Sequence, residues 1–550
     1  MHKAYDNYII SAIEELPATQ EEFLQLKKRL SKLYKLPLPT NADLRDRYNT
    51  LVKEKKVIAS KAFEAILLSR AIRTQSGVAV VAVLTKSYPC PGKCIYCPTE
   101  KDMPKSYLSN EPAVMRAIDS HFDPYLQVQN RLRSLEINGH KTDKIELIVM
   151  GGTFSFLPKD YQKKFIVRCF QACNEYSKKS LVTRHSSLVK NLIEEKLIRE
   201  QKKNETAKHR IIGLTLETRP DYIDENEIIN FRNLGCTRVE LGVQSIYDDV
   251  LKLNKRGHLI DETIRATKLL KDAGFKINFH MMPGLPGSTP SKDFKMFKQL
   301  FTNQDFQPDM LKIYPTVVLK DSILYNMWKK GHYKPLNNKT FEKLVLKIKN
   351  EAITPYVRIA RLIRDVPTSS IIAGPTISNL RQIIIPQSKC PCIRCREVRE
   401  GYPPRLAKAI ARRREAGEVE NEIILDRIDY PASDGKEIFL QYVSPDKKKL
   451  FALLRLRISN DSSSHFIPAL RNAALIREVH TYGKLTQIDK KNSNSPQHIG
   501  LGKKLLIEAE RITKEEFGLG KIVVISGVGV RGYYRKSGYR LRETYMVKNI

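Results

Sequence analysis

The sequence predicts an α/β chain of more than one domain: a partial (βα)6 barrel followed by an α+β domain, behind a basic helical region. Three observations carry this. Six short apolar runs recur between residues 77 and 316, separated by stretches of helical spacing, the pattern of parallel strands buried on both faces. Beyond about residue 400 the texture reverses, with strands in succession and one late helix. The 550 residues also exceed what one hydrophobic core usually supports, and 41% of them are hydrophobic, enough to build several.

Residues 1–75 form the helical region. "EEFLQLKKRLSKLYKL" and "LRDRYNTLVKEKKV" repeat apolar residues every three or four positions between Lys and Arg, so these helices either grip phosphates or present an ordinary solvated face. The barrel spans 76–385. Its strand candidates are "GVAVVAVLT" (77–85), "IELIVM" (145–150), "IIGLTL" (211–216), "TRVELGV" (237–243), "KINFHMM" (276–282) and "MLKIYPT" (310–316), alternating with helices such as "DENEIINFRNLG". Beyond the ends of the first five runs stand, in turn, Cys90, "GGT" at 151–153, Glu217, Gln244 and "PGLPG" at 283–287. Ligands of parallel α/β folds bind at the carboxyl ends of strands, so these groups are expected on one rim. A Cys-rich linker, 386–400, precedes the last region, 401–550. There "EIILDRIDYP", "EIFLQYVS", "LFALLRLRI" and "LIREVHTYG" come before a helix from about 501 and the run "KIVVISGV", a mixed, largely antiparallel sheet with one crossover helix. "SNDSSSHF" and "DKKNSNSPQ" read as loops.

Lys and Arg number 95 against 60 Asp and Glu, a formal +35, which on a globular chain points to a polyanionic partner such as nucleic acid. The first residues lack a charged n-region followed by an apolar h-region, and no eighteen apolar residues run together, so a cytoplasmic protein without a membrane partner is expected. Nine cysteines in two tight clusters and three singles fit metal sites better than a secreted disulfide framework.

"YPCPGKCIYCPTE" (88–100) sets Cys90, Cys94 and Cys97 at a C-x3-C-x2-C spacing. A closed structural zinc site wants four ligands, whereas three thiolates on a 4Fe-4S cluster leave one iron open for a small chelating ligand. This spacing, in a loop leaving the first strand of a six-unit barrel, resembles the radical S-adenosylmethionine (radical SAM) superfamily. The resemblance implies a cluster that binds SAM through the open iron and reductively cleaves it. It also likens Gly151 and Gly152 to the glycine-rich turn near the methionine moiety of SAM. Glu217 and Gln244 end apolar strands, where each serves either as a hydrogen-bonding partner of a ribose or substrate or as a rim residue satisfied within the protein. Cys390, Cys392 and Cys395 form a second triplet, for which zinc with an unidentified fourth ligand is expected and a second iron-sulfur cluster is the alternative. Cys169, Cys173 and Cys236 read as core thiols.

In "PQHIGLGKKLLIEAERI" a Q-x-x-G-x-G precedes a helix, where small residues and free N–H groups suit a pyrophosphate. Followed by "KIVVISGVGV" and "RGYYRKSGY", this order resembles the acyl-CoA-binding core of the GNAT acetyltransferases. That resemblance implies a CoA cradle from Gln497, His498, Ile499, Gly500, Leu501 and Gly502, with Tyr533 and Tyr534 near the thioester; either tyrosine could equally pack the core.

Together with "LETRPDYI", "ELGVQSIYD", "HMMPGLPG" and "CIRCREVR", these segments resemble the Elongator catalytic-subunit family, which modifies the wobble uridine of tRNA. The resemblance spans about residue 70 to the end. It implies that a 5′-deoxyadenosyl radical from SAM takes hydrogen from the methyl of acetyl-CoA, that the carbon radical adds to C5 of uridine 34, and that thioester hydrolysis leaves a carboxymethyl group. Such chemistry needs a cofactor, with the protein supplying binding and orientation. An electron donor is required, accessory subunits or self-association are compatible, and tRNA would meet the basic N-terminal helices and "RLAKAIARRR" (405–414), its base splayed from the stack. Two other readings are a lysine acetyltransferase whose cluster is structural, which gains nothing from an open iron, and an RNA-binding scaffold, which has no use for three intact thiolates.

Overall fold

The computed structural model describes residues 3–67, 77–176, 193–398, 423–483 and 500–550. Its first body is a group of four helices, Asp6–Glu14, Gln20–Leu33, Asn41–Lys53 and Lys61–Ile66. The last three begin on Thr19, Thr40 and Ser60, whose hydroxyls accept an otherwise orphaned backbone N–H of the first turn. Phe23, Leu44, Tyr48 and Phe63 fill the small core, and Lys28, Arg29, Lys32, Lys53, Lys55 and Lys56 are left outside. This body docks beside the helix Pro124–Ile137, where the Arg45 guanidinium lies so close over Gly139 that a β-carbon there would stand 2.6 Å from it.

The second body is a parallel sheet of β1 (Ala79–Leu84), β2 (Lys144–Met150), β3 (Arg210–Thr218), β4 (Arg238–Gln244), β5 (Lys276–Met281) and β6 (Met310–Ile313), paired in chain order. The short β7 (Val318–Leu319) lies outside this sheet, and β8 (Arg358–Arg361) extends it as a seventh strand beside β6. No apolar run announces β8, because its four residues, RIAR, are half charged. β7 pairs with β9 (Ile371–Ala373) in a separate ribbon. β1 and β8 are the edges, so the sheet curls without closing, a half-barrel.

The third body holds β10 (Ile424–Pro431), β11 (Gly435–Val443), β12 (Leu450–Ser459), β13 (Ala474–Thr481), β14 (Lys521–Val524), β15 (Arg540–Arg542) and β16 (Tyr545–Asn549). β13 and β14 are parallel and every other pairing is antiparallel, so the crossover helix Leu501–Arg511 joins the one parallel pair as expected. The hairpin β15–β16 has no such signature: "RLRETYMVKN" mixes charge into both strands.

Both faces of this second sheet are buried. Leu501, Leu505, Leu506 and Ala509 of the crossover helix pack against Ile438, Leu454, Ile476 and Val524 on one face. On the other, Leu453, Leu475, Val523 and Val547 join the core of the half-barrel. Charges are sealed in this seam. Arg477 donates to Asp309 at 3.0 Å and to Glu437 at 2.8 Å, Arg457 to Asp272 at 2.7 Å, and Lys271 stands 3.9 and 3.8 Å from Asp309 and Glu437. Burial would raise the Asp309 carboxyl, but Arg477, Lys271 and Arg455 outweigh it and hold it well below the usual range. The backbones also touch: a β-carbon on Gly527 would stand 2.0 Å from the Ile212 carbonyl oxygen. These contacts lie at the N-terminal ends of the barrel strands, so the second sheet caps that mouth and leaves the carboxyl rim for ligands. Among the described residues no helix is long and apolar enough to cross a membrane.

Candidate active site

The loop after β1 carries Cys90, Cys94 and Cys97 onto the carboxyl rim. It is pinned at both ends. The Gln127 side chain bonds both backbone groups of Leu84, and Ile95 donates to Asn254 while accepting from Leu324. Gly92 sits between sulfurs: a β-carbon there would be 3.6 Å from both Cys90 Sγ and Cys94 Sγ, and 2.6 Å from Arg219 Nη1. Only glycine leaves that space. Arg256 Nη1 donates to Cys94 Sγ at 3.3 Å and Gly92 N–H to Cys90 Sγ at 3.4 Å. A hydrogen bond from Cys97, reinforced by Arg256, pulls the Cys94 thiol down to about 4, while the same bond pushes Cys97 up. A bound cation would displace the proton held between them.

These residues fit an anionic cluster. The donor set is three thiolates, Gly92 keeps the space between two of them free of side-chain bulk, and Arg219 Nη1 is buried there with no hydrogen-bond partner among the described residues, its other nitrogens being held by Asp221 at 2.9 and 2.7 Å. A buried donor left unsatisfied is costly even when, as here, Asp221 balances the guanidinium's charge, so the place of Nη1 beside two sulfurs suits an occupant that accepts hydrogen bonds.

The rim residues singled out in the sequence differ in role. Gly151 and Gly152 have φ of +134° and +95°. At Gly151 the close approach is internal, since a β-carbon would meet Thr85 Oγ1 at 2.0 Å, whereas Gly152 is open. Gln244 holds a left-handed φ of +71°, rare for a residue with a side chain, and among the described residues its buried Oε1 has no partner. Glu217 accepts from Tyr107 of the cluster-loop segment at 2.7 Å. Arg364, from the stretch after β8, clamps that segment through Ser106 and Glu111.

The hollow of the half-barrel holds groups that the apolar pattern does not single out. Glu240 is buried, accepting from His280 Nε2 at 2.8 Å, from Asn278 at 3.1 Å and from Lys312, whose ammonium also stands 3.9 Å from Glu217. Burial would raise the Glu240 carboxyl; Lys312, His280 and Arg238 hold it well below its usual value instead. Glu217, Glu240 and His280 bring their donor atoms within 4.8 Å of one another, but Lys312 already serves as their cation. A signal for them is present in "VELGVQ", "INFHM" and "LKI": a polar residue at alternate positions inside an apolar run faces away from the apolar layer.

The second triplet is built differently. Cys390, Cys392 and Cys395 hold their sulfurs within 4.8 Å of one another, and three thiolates on one tetrahedral zinc at bonds of ~2.3 Å stand about 3.8 Å apart. Among the described residues the sulfurs of Cys90, Cys94 and Cys97 do not gather within that radius. The loop joins the two sheets, Ile393 donating to Val357 beside β8 and Val398 to Leu450 of β12. Cys169, Cys173 and Cys236 are buried in the barrel core.

In the second sheet, Gly500 caps the crossover helix in a left-handed turn (φ +78°) with Leu501 buried behind it. A β-carbon on Gly502 would stand 3.1 Å from Tyr533 Oη and 3.6 Å from Thr481 Cγ2, so the turn, Tyr533 and the end of β13 line one slot. Tyr533 is half open to solvent; Tyr534 is buried in the sheet's own core. Gln497, His498, Ile499 and the basic segment 405–414 lie outside the described residues.

A sequence model of the radical SAM superfamily matches residues 86–300, and one of the radical SAM C-terminal domain matches 308–388. The chain is 45% identical to a tRNA uridine(34) acetyltransferase of Methanocaldococcus infernus, over 96% of this chain and 95% of that protein. It is 39% identical to Elongator complex protein 3 of Homo sapiens, over 88% and 86%. The solved archaeal Methanocaldococcus infernus Elp3 with an N-terminal deletion superposes at a TM-score of 0.69 and 42% identity, covering 86% of this chain and all of that one.

Proposed function

Because the chain belongs to the family of tRNA uridine(34) acetyltransferases and Elongator complex protein 3, a radical SAM family, we propose that it modifies C5 of the wobble uridine of tRNA with an acetyl-CoA-derived group, leaving carboxymethyl-uridine. The observation that supports this reading is the pairing, in one body, of three cysteines on the barrel rim with a slot lined by Gly502, Tyr533 and Thr481 in the capping sheet. Cys90, Cys94 and Cys97 would hold a 4Fe-4S cluster, which with SAM supplies the hydrogen-abstracting radical that no side chain can.

The chain's own residues do the rest. Arg219 and Arg256 neutralise the thiolate pocket, and Gln244, with its free buried oxygen, and Glu217 offer acceptors to the hydroxyls of a ribose. Gly151, Gly152 and Thr85 shape the neighbouring turn. Gly500, Leu501 and Gly502, together with Gln497, His498 and Ile499, would cradle the CoA pyrophosphate at the helix N-terminus, and Tyr533, more than the buried Tyr534, would face the thioester. Lys28, Arg29 and Lys32 of the N-terminal helices give tRNA phosphates an exposed basic face. Cys390, Cys392 and Cys395 would bind zinc as a staple between residues 76–385 and 401–550. A reductant protein and the tRNA itself are the partners required.

The test is anaerobic reconstitution. The expected result is a protein with visible charge-transfer absorption that converts SAM to 5′-deoxyadenosine under reductant and loses both properties in Cys94→Ala. Retention of SAM cleavage in that variant would contradict the assignment.

A further inference from the structure

Alternate side chains of β5 and β6 leave the apolar core. Ile277, Phe279 and Met281 of β5 and Leu311 and Ile313 of β6 are buried in it, while Asn278 and His280, and on the other strand Lys312 and then Tyr314, turn to the hollow of the half-barrel. His280 and Lys312 are direct partners in the parallel ladder, so they stand side by side. The Tyr314 backbone N–H donates to the Met281 carbonyl at 2.9 Å, and its ring stands edge-on to His280 with centroids 5.7 Å apart. The hollow begins under the cluster loop: Lys312 is 3.9 Å from Glu217, which accepts from Tyr107 of that loop segment.

One buried group orders the other three. Glu240 keeps 1% of its side chain exposed, whereas His280 keeps 15% and Lys312 12%, and Tyr314 is half-buried. His280 Nε2 lies 2.8 Å from Glu240 Oε2, and a carboxylate only accepts, so Nε2 carries a hydrogen. Lys312, and Arg238 at 3.9 Å, already balance that carboxylate, so the imidazole meets it as a neutral donor and keeps Nδ1 as an acceptor. Among the described residues Nδ1 has no partner, and neither has the Tyr314 hydroxyl. Burial raises the Tyr314 phenol against the pull of Lys312 and Arg361, so it keeps its proton and can donate. Of the three N–H bonds of Lys312, Glu240 takes one, and Glu217 at 3.9 Å stands beyond hydrogen-bond range. The hollow therefore offers one acceptor and two donors.

That set complements one pyrimidine. Along its pairing edge uracil presents O4, N3–H and O2, which are acceptor, donor and acceptor; cytosine presents a donor at N4 and bare acceptors at N3 and O2. His280 Nδ1 can take the N3–H of uracil, whereas against cytosine it would face the N3 lone pair, two acceptors opposed and both desolvated. Holding that edge also leaves the C5–C6 edge, on the far side of the ring, uncovered.

We infer that His280, Tyr314 and Lys312 read the base: His280 Nδ1 accepts from N3–H, the Tyr314 hydroxyl and the Lys312 ammonium donate to the two carbonyls, and the hollow admits uridine while refusing cytidine. The inference rests on the tRNA reading above and adds a base selectivity to it. A nucleotide extruded from its stack is read in this way, by hydrogen bonds to its pairing edge inside a protein pocket. Glu240 is a positioning residue, holding the tautomer of His280 and the ammonium of Lys312 without touching the base.

The test uses the full-length chain and needs no cluster. Two tRNA transcripts that differ only in carrying uridine or cytidine at the wobble position are titrated by fluorescence anisotropy at one salt concentration, since phosphate contacts are common to both and cancel in the ratio. Wild-type protein should bind the uridine transcript ~10-fold tighter or more, the discrimination of about one good bidentate base contact. Tyr314→Phe, which leaves Glu240 and its partners in place, should weaken uridine-transcript binding ~5-fold and hold the cytidine transcript within about twofold. His280→Leu should bring the two affinities to within about twofold of each other. If the melting curve shows that His280→Leu does not fold, Tyr314→Phe decides alone. Equal wild-type affinity for the two transcripts, an unchanged ratio in the folded variants, or an equal loss for both transcripts would overturn the base-reading role and leave the tRNA assignment standing. Wild-type protein that binds neither transcript would overturn both.

Discussion

Two cysteine triplets, three hundred residues apart in sequence, take opposite forms. Cys390, Cys392 and Cys395 draw together within 4.8 Å between strands of two sheets, where a metal would tie β8 to β12. Cys90, Cys94 and Cys97 do not gather so closely: Cys90 and Cys94 flank Gly92, beside the buried guanidinium of Arg219, which Asp221 engages through two nitrogens while its third, among the described residues, has no partner. Spacing in the chain is similar in the two; what surrounds the sulfurs is not. Close sulfurs on a loop that joins two sheets suit one structural ion, and spaced sulfurs with a buried donor to spare suit a larger group that accepts hydrogen bonds.

The sharpest way to break this contrast is to remove one thiol from each triplet. Cys94→Ala should abolish cluster absorption and SAM cleavage while leaving zinc content and melting temperature unchanged. Cys392→Ala should do the reverse, losing one equivalent of zinc by elemental analysis. If that costs about 3 kcal/mol, a unit of 150–250 residues would melt roughly 6–12 °C lower. Equal loss of the same metal from both variants would erase the distinction.

The seam supplies the next largest effect. Asp309→Asn strands Arg477 and Lys271 in the interior and should cost about 3–5 kcal/mol by denaturant titration. Since the Asp309 carboxyl lies below its unfolded value, its contribution is present above that value and is lost as pH falls towards the depressed folded one. The variant's stability should therefore fall less between pH 5 and pH 2 than that of the wild type. Smaller changes belong to the rim. Glu217→Gln weakens the charge-assisted bond from Tyr107 and the pairing with Lys312, and should weaken SAM binding by roughly 10-fold, about 1.4 kcal/mol. Tyr107→Phe, which removes one hydroxyl from the same contact, should cost about 1 kcal/mol or less, read by the same titration.

Much of this is legible in the chain. Apolar runs place β1 to β6 to within a few residues because a strand covered by helices on one face and facing a narrow hollow on the other is largely apolar. The C-x3-C-x2-C segment exposes the cluster pocket because thiolates are few and their spacing is local. β8 and the β15–β16 hairpin escape a reading of the sequence because their stability comes from partners far away in the chain, not from their own composition. For Glu240, His280 and Lys312 the sequence shows each as a polar residue inside an apolar run but not that they meet, because they sit on different strands and only curling of the sheet brings them together.

The central claim is that the rim pocket and the acyl slot serve one reaction on tRNA. Reconstituted protein with reductant, SAM, acetyl-CoA and unmodified tRNA, followed by mass spectrometry of the digested nucleosides, tests it most directly. The predicted result is a carboxymethyl mass increase confined to the wobble uridine and absent when acetyl-CoA is omitted or Cys94 is replaced by Ala. SAM cleavage with an unaltered wobble uridine, from protein that binds both acetyl-CoA and tRNA, would contradict it.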